Sequence, residues 1–325
     1  MNTNKKPIIA TMIGDPCGIG PEVIAKAWAT GEVHEYSTPV LIGSAEVMER
    51  AVGFSDLKLP VRKISKLDEI TDSADVIDIL DSGKFDINDV TLGEDNAACG
   101  KISADWLDEA DKLALAGEVA GTIMGPISSV AMKMAGVEGK VFNIKPGLSY
   151  LFLVSGTLRV MHLTDHISLR EVCELVSSDL VFNALQTMDS RLKEWGIKSP
   201  RIGVSGLNPH AYGEEEENEI TPGIVRAKTS GINVEGPVAP DTIFRQCIDE
   251  KYDAVLAMFH DQGHIAIKTW GFVGNCAVMV GPPYLHMSVA HGTAYDIVGK
   301  GVANHEMILS AMKMTGNLAS GKGFL

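Results

Sequence analysis

Three histidines follow strand-like apolar segments of this chain, and their side chains could bind a metal ion. His166 ends the segment RVMHLTDH, His210 ends IGVSGLNPH, and His260 follows DAVLAMF. Neutral imidazole is a common ligand of divalent metals, and three imidazoles at one point would hold such an ion. The histidines are far more widely separated than in zinc-finger or HxxxH motifs, and each alone fits a structural, hydrogen-bonded histidine equally well. The repeated context favours a shared metal.

Short apolar runs alternate with longer segments of helical periodicity along the chain. The predicted strands cover residues 8–12, 40–42, 120–125, 201–206 and 253–258, and helices are predicted at 100–117 and 179–195. Such alternation is typical of βαβ units and predicts an α/β fold with mainly parallel sheets. In these folds ligands bind beyond the carboxyl ends of the strands. We therefore expect the three histidines to lie at one edge of a sheet.

Composition limits the class of protein. The chain has 325 residues, 45% of them hydrophobic, and a net charge of −14, which argues against nucleic-acid binding. We expect the acidic run 214–217 to be a solvated loop. Neither a signal peptide nor a membrane-spanning stretch is visible, so a cytoplasmic protein is expected.

The cysteines indicate neither a disulfide framework nor a cysteine zinc site, because they are odd in number, scattered and never in CxxC spacing. They are Cys17, Cys99, Cys173, Cys247 and Cys276. Most of them are expected to be small core residues.

Two further motifs have the composition of ligand-binding loops. The segment GDPCGIGPE joins the first predicted strand to a helix, and its glycines Gly14, Gly18 and Gly20 allow a tight turn that can receive an anion or cofactor. It is not a GxGxxG fingerprint, so a Rossmann nucleotide site is not indicated. The segment HGTAYDIVGKGVAN at 291–304 precedes a predicted helix at 306–314 and is unusually rich in small and polar residues.

The second segment is similar to the HGxAxDIAGKGxAN loop of the β-decarboxylating dehydrogenases, which holds the adenosine part of NAD. The whole set of motifs resembles the PdxA family, the 4-hydroxythreonine-4-phosphate dehydrogenases. GDPCGIGPE, LNPHA (207–211), GPVAPDTIF (236–244), HDQGH (260–264) and the 291–304 loop occur in the family's order over nearly the full chain.

The resemblance implies a fold like that of isocitrate and isopropylmalate dehydrogenases, with two domains and an active-site cleft between them. The expected domains are residues 1–125 plus 283–325 on the cofactor side, and residues 126–282 for metal, substrate and dimerisation. A homodimer in which both subunits build each pocket is implied. The implied cofactors are NAD or NADP and a divalent metal, with zinc favoured and cobalt, manganese, magnesium or nickel as alternatives.

Site residues follow from the same resemblance. The metal ligands are expected to be His166, His210 and His260, and Lys268 is expected to contact the substrate, either as proton acceptor or as partner of a carboxylate, with its pKa lowered by burial beside the metal. Asp241 and Asp261 are expected to orient imidazoles as hydrogen-bond acceptors, although Asp261 could equally be a helix cap. The expected cofactor-binding residues are Gly14, Asp15, Gly18, Gly20, His291, Gly292, Thr293, Ala294, Asp296 and Asn304.

The sequence departs from the family pattern at positions expected to bind the substrate. Where relatives acting on phosphorylated substrates carry GHTE, this chain has KPGLSY at 145–150, and their usual Asn and Arg are replaced by Ala277 and His286. These changes remove donors suited to a phosphate dianion. The added His264 resembles the branch that includes terephthalate dihydrodiol dehydrogenase. His264 and His286 are therefore expected to bind substrate, whereas His162 is expected to be only a strand residue.

The sequence thus predicts a metal-dependent NAD(P) oxidoreductase that oxidises a hydroxy or dihydroxy carboxylic acid, with decarboxylation following if a β-keto acid forms. One alternative is oxidation of a phosphorylated substrate, 4-hydroxythreonine 4-phosphate or a tetronate 4-phosphate. A metal-dependent hydrolase that uses the histidines to activate water, and a non-catalytic metal or metabolite binder, are alternatives from other classes. In every case the partner is a small molecule.

Overall fold

A computed structural model describes residues 6–140, 145–271 and 275–325 of the chain. The described residues form two compact units. The first contains residues 6–140 and 283–320, and the second contains residues 145–271, 275–282 and 321–325. Among these residues, no helix is both long and apolar enough to cross a membrane.

The first unit contains a parallel sheet with helices between its strands. Its strands are β1 (Ile8–Met12), β2 (Thr38–Ile42), β3 (Val61–Ile64), β4 (Ile77–Leu80), β5 (Gly121–Met124) and β12 (Leu285–Val289). They lie in the order β3-β4-β2-β1-β5-β12, and all five pairings are parallel. Its helices are α1 (Gly20–Ala29), α2 (Val33–Tyr36), α3 (Ala45–Phe54), α4 (Ala97–Leu115), α5 (Ser129–Met134) and α11 (Glu306–Ala319).

The second unit contains a mixed sheet. Its strands are β6 (Tyr150–Ser155), β7 (Leu158–His162), β8 (Ile202–Ser205), β9 (Val234–Val238), β10 (Ala254–Ala257) and β11 (Cys276–Val280). In the order β11-β6-β7-β10-β8-β9, the two pairings of β6 are antiparallel and the other three are parallel. Its helices are α6 (Leu169–Leu175), α7 (Ser178–Glu194), α8 (Thr221–Thr229), α9 (Ile243–Ile248) and α10 (His260–Trp270).

Hydrophobic periodicity accounts for the long helices and the central strands. Along α7, the residues at the predicted helical spacing, Val181, Leu185, Met188 and Leu192, are all buried. Strands β8 and β10 are buried over their full length, as expected for central parallel strands covered on both faces. The five predicted strands are present, and so are the helices predicted at 100–117, 179–195 and 306–314, with ends shifted by a few residues.

The observed unit boundaries differ from the predicted ones at two places. The first unit continues past residue 125 because α5 packs tightly on α4, where a Cβ on Gly100 would lie 2.1 Å from the carbonyl oxygen of Ala131. Residues 321–325 belong to the second unit, because Phe324 stacks on Phe152 and packs edge-on against Trp195. Neither the ring contacts of Phe324 nor the packing of α5 on α4 can be predicted from the local sequence.

Three neighbouring strands of the second unit position the histidines. Strands β7, β10 and β8 are adjacent and parallel, so their carboxyl ends lie at the same edge of the sheet. His166 follows β7, His260 follows β10 as the first residue of α10, and His210 follows β8. The expectation that these three residues follow neighbouring strand ends is therefore confirmed.

Candidate metal and cofactor sites

Four imidazole rings cluster at this edge of the second unit. The ring centroids of His166 and His260 are 5.0 Å apart, and His264 stacks on His260 at 3.6 Å with the planes 14° apart. His162 lies 4.7 Å from His264 and 6.2 Å from His260. His162 is indeed a strand residue, as expected, but it also belongs to this histidine cluster.

Burial keeps the two inner rings of the histidine cluster neutral. It lowers the pKa of His162 to about 4 and that of His264 to about 3, and the neighbouring imidazoles add to the effect on His264. Nδ1 of His162 lies 3.1 Å from the carbonyl oxygen of Leu151, and its buried Nε2 has no hydrogen-bond partner among the described residues. The inner rings therefore add no positive charge next to a bound cation at neutral pH.

Asp165 is the residue at this site that the sequence reasoning missed. Its side chain is 3% exposed, and Oδ1 lies 2.8 Å from Nδ1 of His166. Burial alone would raise the pKa of Asp165, but the contact with His166 and the charges of neighbouring imidazoles outweigh it and lower the pKa. The only local signal was its position directly before a predicted ligand.

The donor set fits a divalent cation. Asp165, His166 and His260 each offer one ligand atom, and these atoms lie within 4.8 Å of one another. Oδ2 of Asp165 is buried without a hydrogen-bond partner among the described residues, which is costly unless a cation or other donor satisfies it. Imidazole with carboxylate is a typical donor set for zinc and related metals. The residues present can therefore hold the metal that the sequence predicted.

His210 is not a member of that three-residue group. It is exposed in the 3₁₀ turn Pro209–Ala211, and it has a left-handed backbone with φ of 59°, which is uncommon for a residue other than glycine. The neighbouring Ala211 shares this conformation, with φ of 55°. Backbone strain of this kind is often retained at functional sites. Its role as a ligand stays a prediction.

Glu216, in the acidic run that was expected to be a solvated loop, instead anchors the turn bearing His210. Glu216 is 2% exposed, and its Oε1 accepts hydrogen bonds from the backbone amides of Leu207 and Asn208 at 2.7 and 2.8 Å. Its Oε2 accepts another from Nδ2 of Asn208 at 2.8 Å. The expectation for Glu216 was wrong. A run of acidic residues does not show, by itself, that backbone amides of a different loop will bind one of its carboxylates.

Helix α10 connects the HDQGH motif to the neighbouring strand ends. Oε1 of Gln262 accepts from the amide of Met258 at 2.7 Å, and Nε2 of Gln262 donates to the carbonyl oxygen of Gly206 at 2.8 Å. These two hydrogen bonds tie the start of α10 to the ends of β10 and β8. Gln262 thereby fixes the position of His260 relative to the turn that carries His210.

The predicted catalytic residues have differing environments. Asp261 lies 2.7 Å from Nδ1 of His260 through Oδ1, as expected for an imidazole partner, although its side chain is 73% exposed. Asp241 is exposed in the turn before α9. Lys268 is exposed in the last turn of α10, so the expected burial beside the metal is not found within this chain. Its position two helical turns after His260 nevertheless keeps it on the same side of the helix.

The two predicted cofactor segments meet in the first unit. The amide of Ile19 donates to the carbonyl oxygen of Thr293 at 2.9 Å, and a Cβ on Gly18 would lie 2.8 Å from Cβ of Thr293. Gly14 has φ of 85°, and a Cβ there would lie 2.4 Å from the carbonyl oxygen of Pro126. These glycines are thus required for close packing, and α1 begins at Gly20 with Pro21 in its first turn.

The remaining predicted binding residues also belong to the first unit. Ala294 has a left-handed backbone with φ of 43°, and Oδ1 of Asn304 accepts from the amide of Glu306 at the start of α11. His291 contacts the carbonyl oxygen of Gly292 through Nδ1. Gly292, Asp296 and Asn304 are exposed. His286, expected to bind substrate, lies on β12 with Nδ1 2.7 Å from Oγ1 of Thr122.

Tyr295 connects the two cofactor segments and was not predicted. Its hydroxyl lies 2.6 Å from Oδ2 of Asp15 and 2.9 Å from Oδ1 of Asp95, which also accepts a hydrogen bond from Ser128. Burial raises the pKa of Asp15, and hydrogen bonds from Tyr295 and the amide of Cys17 oppose that rise. Sequence gave no signal for this contact because Asp15 and Tyr295 are 280 residues apart.

Replacing Tyr295 with Phe is expected to lower the free energy of unfolding by about 1–3 kcal/mol, because buried Asp15 loses a hydrogen-bond donor. Chemical denaturation at neutral pH measures the change. Tyr212→Phe is the matched control, because Tyr212 is 77% exposed. Equal stability of the two variants would show that the Tyr295 hydroxyl does not stabilise the contact between the two cofactor segments.

Comparison with known proteins identifies the family. The family model described as "Pyridoxal phosphate biosynthetic protein PdxA" matches residues 35–315. The chain belongs to the PdxA family. A relative from Novosphingobium aromaticivorans, provisionally named 4-hydroxythreonine-4-phosphate dehydrogenase, is 54% identical over 98% of this chain and 97% of its own length. A Clostridium botulinum relative, provisionally named D-threonate 4-phosphate dehydrogenase, is 35% identical over 95% of this chain and 96% of its own.

Solved structures support the same assignment to the PdxA family. A 4-hydroxythreonine-4-phosphate dehydrogenase from Burkholderia phymatum has a TM-score of 0.85 and 31% identity, with 97% of this chain and 99% of that chain covered. A terephthalate 1,2-cis-dihydrodiol dehydrogenase from Burkholderia xenovorans has a TM-score of 0.70 and 28% identity, covering 96% and 98%. A β-decarboxylating dehydrogenase from Thermococcus kodakarensis, 12% identical with a TM-score of 0.50 over 95% and 83%, shares the fold. The predicted family and α/β fold class are confirmed.

Proposed function

We propose that this PdxA family member is a divalent-metal-dependent NAD(P) dehydrogenase that oxidises the secondary alcohol of a phosphorylated hydroxy acid. The group formed by Asp165, His166 and His260 carries the proposal, because it brings two of the predicted histidine ligands and a buried carboxylate partner together at the carboxyl ends of parallel strands. The relatives are named as dehydrogenases of 4-hydroxythreonine 4-phosphate and D-threonate 4-phosphate. These names favour the phosphorylated substrate over the free acid expected from the altered loop.

The metal would be held by His166, His210 and His260. Nδ1 of His166 contacts Asp165 and Nδ1 of His260 contacts Asp261, in the manner of carboxylate–histidine–metal triads. When bound, the cation supplies a Lewis acid for the substrate hydroxyl, and the nicotinamide supplies the hydride acceptor. Lys268, which is exposed on α10, would take the hydroxyl proton or pair with the substrate carboxylate.

The proposal includes a homodimer and the junction of the two cofactor segments. The side chain of His166 is 61% exposed and Lys268 is exposed, so a second copy of the chain could cover both of them and help to close the pocket. NAD or NADP would bind along the turn Gly14–Gly20 and the loop 291–304, at the positive end of the α1 helix dipole. Decarboxylation would follow oxidation where the product is a β-keto acid.

A specific observation favours a second candidate, a free hydroxy or dihydroxy acid. Segment 145–150 lacks the GHTE pattern, and the amide of Lys145 donates to Oγ of Ser149 in its place. His286, which replaces an expected Arg, already contacts Thr122. The likeness to a terephthalate dihydrodiol dehydrogenase agrees with this alternative.

Parallel assays of phosphorylated and free hydroxy acids separate the two candidates. With NAD or NADP and added divalent metal, we expect the 4-phosphates of hydroxythreonine or threonate to give at least about a hundredfold higher kcat/KM than the free acids, since loss of a charge-assisted phosphate site costs several kcal/mol. The reverse ranking would favour the free acid. Metal-dependent hydrolysis without nucleotide binding would instead indicate a hydrolase.

A further inference from the structure

Two cysteines lie in contact inside the first unit. The Sγ atoms of Cys17 and Cys99 are 3.3 Å apart, and both residues are fully buried. Cys17 belongs to the turn Gly14–Gly20, and Cys99 lies in the first turn of α4, 82 residues further along the chain. The sequence had indicated only scattered core cysteines, because their contact depends on the tertiary fold.

The surroundings of Cys17 favour its ionised form. Nδ2 of Asn96, the residue that caps α4, donates to Sγ of Cys17 at 3.4 Å. The positive charge of the Arg50 guanidinium favours the thiolate form of both cysteines. Its buried Nη2 has no hydrogen-bond partner among the described residues. The contact with Cys99 lowers the pKa of Cys17 and raises that of Cys99. Burial and the charge of Asp15 oppose the ionisation of Cys17, but the contacts with Cys99 and Asn96 make it the better placed of the two thiols to attack.

The other cysteines have different surroundings. Burial raises the pKa of Cys247, and it raises that of Cys276 to about 12. Cys173 is exposed on α6. These three residues therefore provide internal controls for the reactivity of Cys17.

A metal ion bound by Cys17, Cys99 and Asp15 is less well supported, although their ligand atoms lie within 4.8 Å of one another. Both carboxylate oxygens of Asp15 are already engaged, Oδ1 by the amide of Cys17 at 2.9 Å and Oδ2 by the hydroxyl of Tyr295 at 2.6 Å. Two sulfur atoms alone do not satisfy the four-coordinate site that zinc prefers. The geometry favours a bond between the two sulfurs over a shared cation.

We propose that Cys17 and Cys99 form a thiol–disulfide site that hydrogen peroxide oxidises. The thiolate of Cys17 attacks one peroxide oxygen, the O–O bond breaks, and hydroxide leaves as the sulfenic acid forms. The sulfur of Cys99 then attacks the sulfur of Cys17, its proton goes to the departing hydroxyl, and water leaves. Two thiols are oxidised and one peroxide is reduced to two waters. Because both thiols are fully buried, the oxidant must be small and must reach them when the turn opens locally.

The disulfide would tie the glycine turn to α4. Gly18 and Ile19 in this turn contact Thr293, so the bond would restrain the junction of the two cofactor segments. Its effect on nucleotide affinity rests on the proposed function. Formation of the bond does not, because it requires only the two thiols and peroxide.

Thiol counting in a Cys173→Ser background tests this proposal, because that variant removes the exposed cysteine and keeps the other four. After hydrogen peroxide treatment, quenching and denaturation, we expect alkylation of two cysteines instead of four, with a mass loss of about 2 Da for the two hydrogens. Peptide mapping should link Cys17 to Cys99. Thermal unfolding without reductant should shift to higher temperature, because the cross-link restrains the unfolded chain.

Two further variants in the same background complete the test. Cys17→Ala should abolish the cross-link, whereas Cys247→Ala should keep it. Alkylation of all four thiols after treatment, or a cross-link that survives Cys17→Ala, would overturn the proposal. Stoichiometric zinc that disappears in the Cys17→Ala protein would overturn it in favour of a metal site. None of these readouts involves NAD, so they stand apart from the outcome of the dehydrogenase assay.

Discussion

Asp165→Asn is expected to weaken divalent-metal binding by about 10- to 100-fold and to lower turnover at limiting metal by the same factor, the range typical for partners of ligand histidines. The carboxylate is buried beside Nδ1 of His166, where its charge is screened little by water. Asparagine keeps the volume but removes the charge that favours a cation at His166 and His260. Calorimetric titration with zinc or cobalt measures the change.

Asp261→Asn is the matched control for this substitution. Asp165 and Asp261 each contact Nδ1 of a cluster histidine, at 2.8 and 2.7 Å, but their side chains are 3% and 73% exposed. Because solvent screens Asp261, its substitution should change metal affinity only a few-fold. Equal losses in the two variants, or no loss in Asp165→Asn, would mean that burial of Asp165 does not set the affinity of the site.

Gly263→Ala is expected to destabilise the second unit by about 1–3 kcal/mol, as is typical when a well-packed core is overfilled. A Cβ at this position would lie 2.3 Å from Nε2 of His162 and 2.8 Å from Cγ1 of Val160. His162 cannot easily move away, because its ring is fully buried and held by the carbonyl oxygen of Leu151. The glycine of the HDQGH motif is therefore needed so that α10 can approach the histidine cluster.

A second glycine-to-alanine change isolates this steric effect. Gly53 also lies inside a helix, α3, but a Cβ there meets nothing within 4 Å. Alanine has the higher helix propensity, so Gly53→Ala should stabilise the protein by up to about 1 kcal/mol. Denaturant unfolding of both variants should give changes of opposite sign. A stabilised Gly263→Ala would show that the close approach of helix and ring is not required.

Local sequence patterns predicted some of the site residues and missed others. Periodicity identified the strands before His166, His210 and His260, and their parallel pairing placed those residues after neighbouring strand ends. Asp165 and Tyr295 were missed because their roles depend on burial and on partners in other elements. Burial of this kind is a property of the folded chain.

Charge and domain boundaries were the least predictable features. Glu216 was assigned to a solvated loop because acidic runs are usually exposed, yet amides of the AsnProHis turn bury and satisfy it. Lys268 was expected near a metal but is exposed within this chain. The last residues, 321–325, join the second unit through ring packing of Phe324. Each of these outcomes is decided by tertiary contacts.

Removal and return of the metal tests the proposed chemistry most directly. Protein treated with a chelator and desalted should form no NADH or NADPH from the phosphorylated hydroxy acid while keeping its fold by circular dichroism. About one equivalent per chain of zinc, cobalt, manganese, magnesium or nickel should restore turnover, because the cation supplies the Lewis acid for hydroxyl oxidation. The Asp165→Asn protein should need more metal to reach the same rate. Full turnover by metal-free protein would contradict the proposed function.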